Sequence, residues 1–294
     1  MKLLSSAGDS YIGCRDGQED SFAIWEGETK DGEPELLMVV ADGMGGHARG
    51  EVASTLVVEA FVESFSHSAL TSPDRLRKAL FEANARLARA VSEAPDLAGM
   101  GTTLAACHLC GQSLHWISVG DSPLWLCQAS GFGRLNADHS MRADLDGAVA
   151  RGEMTAWSAS VHPYRNMLRA AVMGDEIGEI DCPATPMICR PDDMVVLASD
   201  GIFSVPTETL HQIVATLWDK APAKIVQALL RSVIDANARK QDNVTILVGK
   251  FANASGHAVH EIPKGKSRAK IMGAWAILSI AVLFLIAAAF VNQV

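Results

Sequence analysis

Two apolar runs of this chain end in the same step, and no other feature restricts its fold as much. Leu36 to Ala41 leads directly into Asp42-Gly43, and Met194 to Ala198 leads through Ser199 into Asp200-Gly201. An unbroken apolar run of this length, closed by a turn signal, reads as a buried strand, with the Asp-Gly step at its tip. A carboxylate at such a tip is held by a rigid sheet and faces its open end. Other acids follow the same rule: Glu19-Asp20 precede Ser21 to Trp25, Asp121 follows His115 to Gly120, and Asp242-Asn243 precede Val244 to Val248. Asp and Gly also mark ordinary turns. Two of these steps, however, lack the short hairpin setting that would explain them that way.

The remaining pattern is layered. Strands are expected over about 21–26, 35–41, 102–109, 113–119, 123–128, 178–183, 194–199 and 244–250. Helices are expected in two pairs. Glu51 to Phe65 is followed by Asp74 to Val91, which starts after Ser72-Pro73; Thr207 to Trp218 is followed by Ala223 to Ala238, with Ile225, Leu229 and Val233 on one face. Runs of strands with helix pairs set apart indicate an α+β domain rather than βαβ repeats. No linker interrupts residues 1–251, so they read as one domain.

The net charge of −9 argues against nucleic acid as a partner. The N-terminus, Met1 to Ser6, has no apolar core of signal-peptide length, so the domain is expected in the cytoplasm with its six cysteines reduced. Cys107-His108-Leu109-Cys110 looks like half a zinc site, but no second pair completes it. Hydrophobic residues make up 49% of the chain, and the C-terminus carries part of that excess. There, residues 252–270 read as a linker ending in Lys264, Lys266, Arg268 and Lys270, and the uncharged stretch 271–291 follows. That stretch has about the ~20 residues a transmembrane helix needs, and basic flanks stay on the cytoplasmic side. The expectation is a single-pass anchor in the inner membrane.

Carboxylate oxygens suit Mg²⁺ or Mn²⁺ better than Zn²⁺. Several converging acids could hold two such ions, an arrangement that activates water and clamps a transferring phosphoryl group. Arg15, four residues before Glu19, could grip that phosphate bidentately. Other chemistries are set aside. No Cys is followed by Arg six positions on. Gly265-Lys266-Ser267 lacks the first glycine of a phosphate loop, since His260 stands there. Asp138-His139-Ser140, being adjacent, cannot converge as a catalytic triad and reads as structural.

Eight short pieces then occur in a specific order: Arg15-Asp16-Gly17-Gln18-Glu19-Asp20, Asp42-Gly43-Met44-Gly45-Gly46-His47, Gly101-Thr102-Thr103, Val119-Gly120-Asp121-Ser122, Asp138-His139-Ser140, His162-Pro163-Tyr164-Arg165-Asn166, Ser199-Asp200-Gly201 and Asp242-Asn243-Val244-Thr245. From Ser10 to Lys250 the chain resembles the metal-dependent PPM (2C-type) protein serine/threonine phosphatases in their bacterial form. The resemblance implies a four-layer αββα sandwich, two antiparallel sheets with a helix pair on each outer face, with the metals at one end. It implies that Asp42 bridges two Mn²⁺ or Mg²⁺ ions, that Asp200 and Asp242 bind one, and that the Gly43 carbonyl, with Glu19 and Asp20, serves the other. Asp121 matches the position of a third, weaker ion, and Arg15 the phosphate-binding arginine. Water activated between the metals then attacks phosphorus with no phosphoenzyme. The substrate is a phosphoserine or phosphothreonine protein, and the implied opponent is a membrane Ser/Thr kinase. Gln18, Pro123 and Met44 depart from common members, and Met44 leaves the proton donor to the leaving group unassigned. The segment Met141 to Ser160 matches the variable flap. The competing reading is a non-catalytic membrane-tethered adaptor of the same fold; retention of the acids and of Arg15 speaks against it.

Overall fold

The computed structural model describes residues 4–45, 48–251 and 268–272. Five strands form one sheet in the order β1 (Leu4–Tyr11), β11 (Val244–Phe251), β10 (Met194–Ala198), β7 (Leu124–Gln128) and β8 (Gly131–Arg134). The second sheet runs β12 (Arg268–Met272), β2 (Asp20–Glu28), β3 (Pro34–Met44), β5 (Leu104–Cys110), β6 (Ser113–Val119) and β9 (Met187–Ile188), with the short β4 (Gly101–Thr102) beside the tip of β3. All these pairings are antiparallel.

The unbroken apolar runs are explained by burial on two sides. Side chains alternate across a strand, and here each set enters a different core. On β3, Leu36, Met38 and Val40 face the layer between the sheets, together with Val195, Leu197 and Leu247. Leu37, Val39 and Ala41 turn the other way, against helices α1 (Ala48–Ser66) and α2 (Ser72–Glu93), where Phe61, Phe65, Leu80 and Leu87 meet them. On the far side Met194, Val196, Ile246 and Val248 pack on α5 (Thr207–Thr216) and α6 (Pro222–Ala236) through Leu210, Ile225 and Leu229. Three cores separate four layers, as the resemblance implies.

Several expectations change. Residues 178–183 form no strand; only Asp181 bridges to Ser118. Gly178 weakens that segment and Pro183 has no N–H to donate to a ladder. Strand β1 and the hairpin strand β8 carry too weak an apolar pattern to be read. The stretch 102–109 is two strands, β4 and β5, broken at Thr103. The flap contains two helices, α3 (Met141–Ala150) and α4 (Ala156–Ser160).

The C-terminal expectation is corrected in part. Arg268–Met272 pairs along β2, so the end of the linker and the start of the expected span are an edge strand. The exposed edge of β2 offers unpaired backbone groups that another strand can satisfy. The rest of both segments, residues 252–267 and 273–291, lies outside the described residues. Among the described residues no helix is long and apolar enough to cross a membrane.

Candidate active site

Strand tips from both sheets converge at one end of the sandwich on an open cleft of about 650 Å³. Arg15, Glu19, Asp42, Gly43, Asp121, Asp200 and Asp242 all line it, beside Met44, Thr103, Asn166, Leu168 and Asn243. Residues spread over most of the chain thus line one cleft. Asp20 is the exception. It pairs in register with Asp42 across β2 and β3 but is buried beneath the cleft. Its Oδ2 accepts from the Ser199 hydroxyl at 2.7 Å, whereas its Oδ1 is buried without a partner.

The backbone around the acids is tightly fixed. The Asp42 N–H donates to Thr103 Oγ1 at 3.0 Å, and the Asp42 carbonyl accepts from the Thr102 hydroxyl at 2.8 Å and from Thr103 N–H at 2.9 Å. Gly43 can only be glycine, because a Cβ there would lie 2.1 Å from the Gly50 carbonyl oxygen of α1. Asn243 pins the Arg15 loop. Its Oδ1 accepts from Glu19 N–H at 2.7 Å and its Nδ2 donates to the carbonyls of Ile12 and Gly17. Ser199 also accepts from Thr245 N–H, so one hydroxyl joins three strands. The Thr pair and Asn243 were visible as sequence motifs, but nothing in the sequence told what they bind.

Arg15 sits on the rim with its guanidinium on Asp242. Asp121 and Asp200 face a residue the sequence reading did not single out, Arg142 of α3, at 3.6 and 3.9 Å. The adjacent Asp138, His139 and Ser140 are structural. Ser140 N–H and hydroxyl donate to Asp138, and His139 Nδ1 accepts from Gly120 N–H at 3.2 Å, fixing the turn into Asp121. Cys107 is buried between the sheets, and the six cysteines form no disulfide.

The electrostatics are those of crowded anions. Burial, and after it the charges of Asp20, Asp200, Asp121 and Asp242, push the Asp42 carboxyl well above the ordinary carboxylate range. Burial raises Asp20 to about 7 against the opposing Ser199 hydrogen bond. Burial and then Asp200 raise Asp121 to about 7, with Arg142 opposing. Burial raises Asp200 as well, again with Arg142 opposing. Among the described residues no three acids are closed into a ready coordination shell. Several of their oxygens are turned to protein partners instead: Asp242 to Arg15, Asp20 to Ser199, Asp121 towards Arg142. The donor set still fits hard divalent cations. It is all oxygen, it holds the orphan Asp20 Oδ1, and its like charges repel until a cation arrives.

Comparison with known proteins agrees with this geometry. The family description "Protein phosphatase 2C" matches residues 7–235. The serine/threonine phosphatase stp of Listeria monocytogenes is 31% identical over 243 residues, covering 80% of this chain and 90% of that protein. The crystal structure of the Mycobacterium tuberculosis serine/threonine phosphatase PstP superposes with a TM-score of 0.69 at 30% identity, over 86% of this chain and 100% of that one. A structure of the PstP catalytic domain in complex with two manganese ions gives the same TM-score at 28% identity, with the same two coverages.

Proposed function

The chain belongs to the protein phosphatase 2C family, and we propose that it removes phosphoryl groups from phosphoserine and phosphothreonine in proteins, using two Mn²⁺ or Mg²⁺ ions. The observation that carries this is the convergence of Glu19, Asp42, Asp121, Asp200 and Asp242, with Arg15, on one cleft. Asp42 lines the same cleft as the other acids and would hold both ions. Asp200 and Asp242 would hold one ion; the Gly43 carbonyl, with Glu19 and Asp20 behind it, would hold the other. Bound there, the ions supply Lewis-acid charge for the phosphoryl oxygens and acidify the attacking water. The protein's own part is positional: the Thr102–Thr103 clamp and the close approach at Gly43 fix Asp42 to the end of a rigid sheet. Arg15, exposed beside Asp242, presents its remaining donors to the substrate phosphate.

The substrate is assigned as a phosphoprotein modified by a membrane Ser/Thr kinase, and the chain as anchored in the cytoplasmic membrane with the catalytic domain inside. The support is the sequence alone: after β12 the stretch 273–291 is uncharged and still about as long as the ~20 residues of a membrane span. The test of function is hydrolysis of p-nitrophenyl phosphate and of a phosphothreonine peptide with Mn²⁺. Chelator must abolish both activities and added Mn²⁺ must restore them. Activity unaffected by chelator refutes the two-ion reading, and no activity under any metal returns the chain to the adaptor reading.

A further inference from the structure

Arg142 is an arginine in an unusual place. It belongs to flap helix α3, yet its side chain is only 13% exposed and its Nη2 lies 3.6 Å from Asp121 Oδ2 and 3.9 Å from Asp200 Oδ2. The same nitrogen donates to Asn166 Oδ1 at 3.3 Å. The guanidinium carbon lies 4.3 Å from the centroid of the Phe203 ring, on the 3₁₀ turn Asp200–Ser204 that begins with Asp200 itself. Its Nη1 is buried with no partner. One guanidinium therefore joins the flap helix, the Asn166 segment, the Asp121 turn and the Asp200 turn.

We infer that Arg142 is the built-in cation of the Asp121–Asp200 pair: it seats the flap on the catalytic end and denies that pair to a third divalent ion. The inference rests on the two-ion reading above and concerns what lies beside it. The physical case is direct. Asp121 is 3% exposed and its Oδ2 faces the guanidinium, so a cation serving that oxygen has to compete with Arg142 for it. Arginine keeps its charge at every accessible pH, so the pair cannot be vacated by deprotonation. The distances are those of an ion pair without close hydrogen bonds, and the ring beneath supplies the remaining hold. Arg142 does not line the cleft, which separates it from Arg15 and from a phosphate-binding role.

The experiment counts Mn²⁺ per chain by calorimetric titration and by metal analysis after gel filtration, for the parent, Arg142→Met, Asp121→Asn and the double variant. Amide hydrogen exchange over residues 141–150 is followed alongside. Arg142→Met is expected to bind one more Mn²⁺ than the parent, and the double variant to lose it. Flap exchange in Arg142→Met, without Mn²⁺, should be faster by about tenfold or more, as expected on removing a desolvated cation–π contact and its ion pairs. The parent provides a test that does not depend on Arg142→Met folding: Asp121→Asn leaves its Mn²⁺ count unchanged. An equal count in parent and Arg142→Met overturns the inference, as does loss of one Mn²⁺ on Asp121→Asn in the parent. If the parent binds no Mn²⁺ while Arg142→Met binds one, the two-ion reading falls and the role of Arg142 stands. If neither binds any, both fall.

Discussion

Arg75→Met tests how the helix layer is held to the sheet that carries Asp42, and its cost can be worked from the surroundings of the guanidinium. Arg75 on α2 donates to both oxygens of Glu35 on β3, at 2.7 and 3.3 Å, and to the Phe65 carbonyl at 3.3 Å. Its guanidinium carbon lies 3.9 Å from the Phe65 ring centroid. His108 Nε2 is 3.0 Å from the same carboxylate, and its Nδ1 is buried without a partner. That pattern is a neutral imidazole donating from Nε2, in keeping with a His108 pKa lowered by burial against the pull of Glu35. The side chains of Arg75 and Glu35 are 10% and 4% exposed. The pair therefore lies in the buried regime, where deleting one partner costs about 3–5 kcal/mol, and not in the surface regime, where the median is about 0–1 kcal/mol. At about 2–4 °C per kcal/mol for a domain of this size, the melting temperature should fall by roughly 6–20 °C at pH 7.

The pH dependence has a definite sign. Burial opposes the Glu35 charge, but hydrogen bonds from His108 and then Arg75 outweigh it and hold the carboxyl at about 2, against its ordinary 4.5. A depressed folded pKa stabilises above pH 4.5, and that contribution disappears as pH falls from 4.5 through 2. Without Arg75, burial pushes the folded pKa the other way. Glu35 then penalises the fold at neutral pH and ceases to do so once protonated. The deficit of Arg75→Met relative to the parent should thus be full at pH 7 and shrink towards pH 4.5. Calorimetric melts at both pH values, with Glu35→Gln/Arg75→Met as the partly restored double variant, make the measurement. A loss under about 3 °C, the scale of a surface pair, or a deficit independent of pH would refute the reasoning.

Asp42→Asn should lower turnover by about 10³-fold or more, the scale set by loss of a group that stabilises transition-state charge. It should also raise the melting temperature in chelator, since a carboxyl penalised by burial and then by the charges of Asp20, Asp200, Asp121 and Asp242 becomes a neutral amide; a fall in stability would show that this penalty does not dominate there. Arg15→Ala removes a charge-assisted contact of about 1.5–3 kcal/mol, so KM for phosphopeptide should rise about tenfold or more while Mn²⁺ binding persists. A change in kcat alone would place Arg15 in the transition state only. The full-length chain should stay in the pellet when membranes are extracted with carbonate; its release would remove the anchor from residues 273–291.

The strand tips were legible because one physical demand wrote both signals. A strand buried on two faces has to be apolar along its whole length, and an acid can appear only where the strand leaves the core. Hence Leu36–Ala41 and Met194–Ala198 revealed at once the elements, their burial and the cleft-lining acids Asp42 and Asp200. The helices were legible for a related reason, with Leu76, Leu80, Ala83 and Leu87 spaced to cover one face. Strand β1 was not legible, because its residues are only half-buried and its place is fixed by backbone pairing with β11. Backbone pairing leaves no mark in side-chain pattern. The same holds for β12, whose pairing with β2 comes from an open sheet edge.

Arg142 shows the deeper limit. On sequence it is one arginine at the start of α3, and its helix has only Leu145 buried, so no periodicity marks it as inward-facing. Its role exists only because Asp121, Asp200, Phe203 and Asn166, from three other places in the chain, surround the point it reaches. The acids could be read because each is constrained by its own strand. A cation that answers them is constrained by none, and any element long enough to reach over the site can supply it. Charge balance at such a centre is thus decided by the flap, while the ligands themselves are decided by the sheet. A change within residues 141–150 can therefore alter how many ions the site holds without touching any of the strand-tip acids.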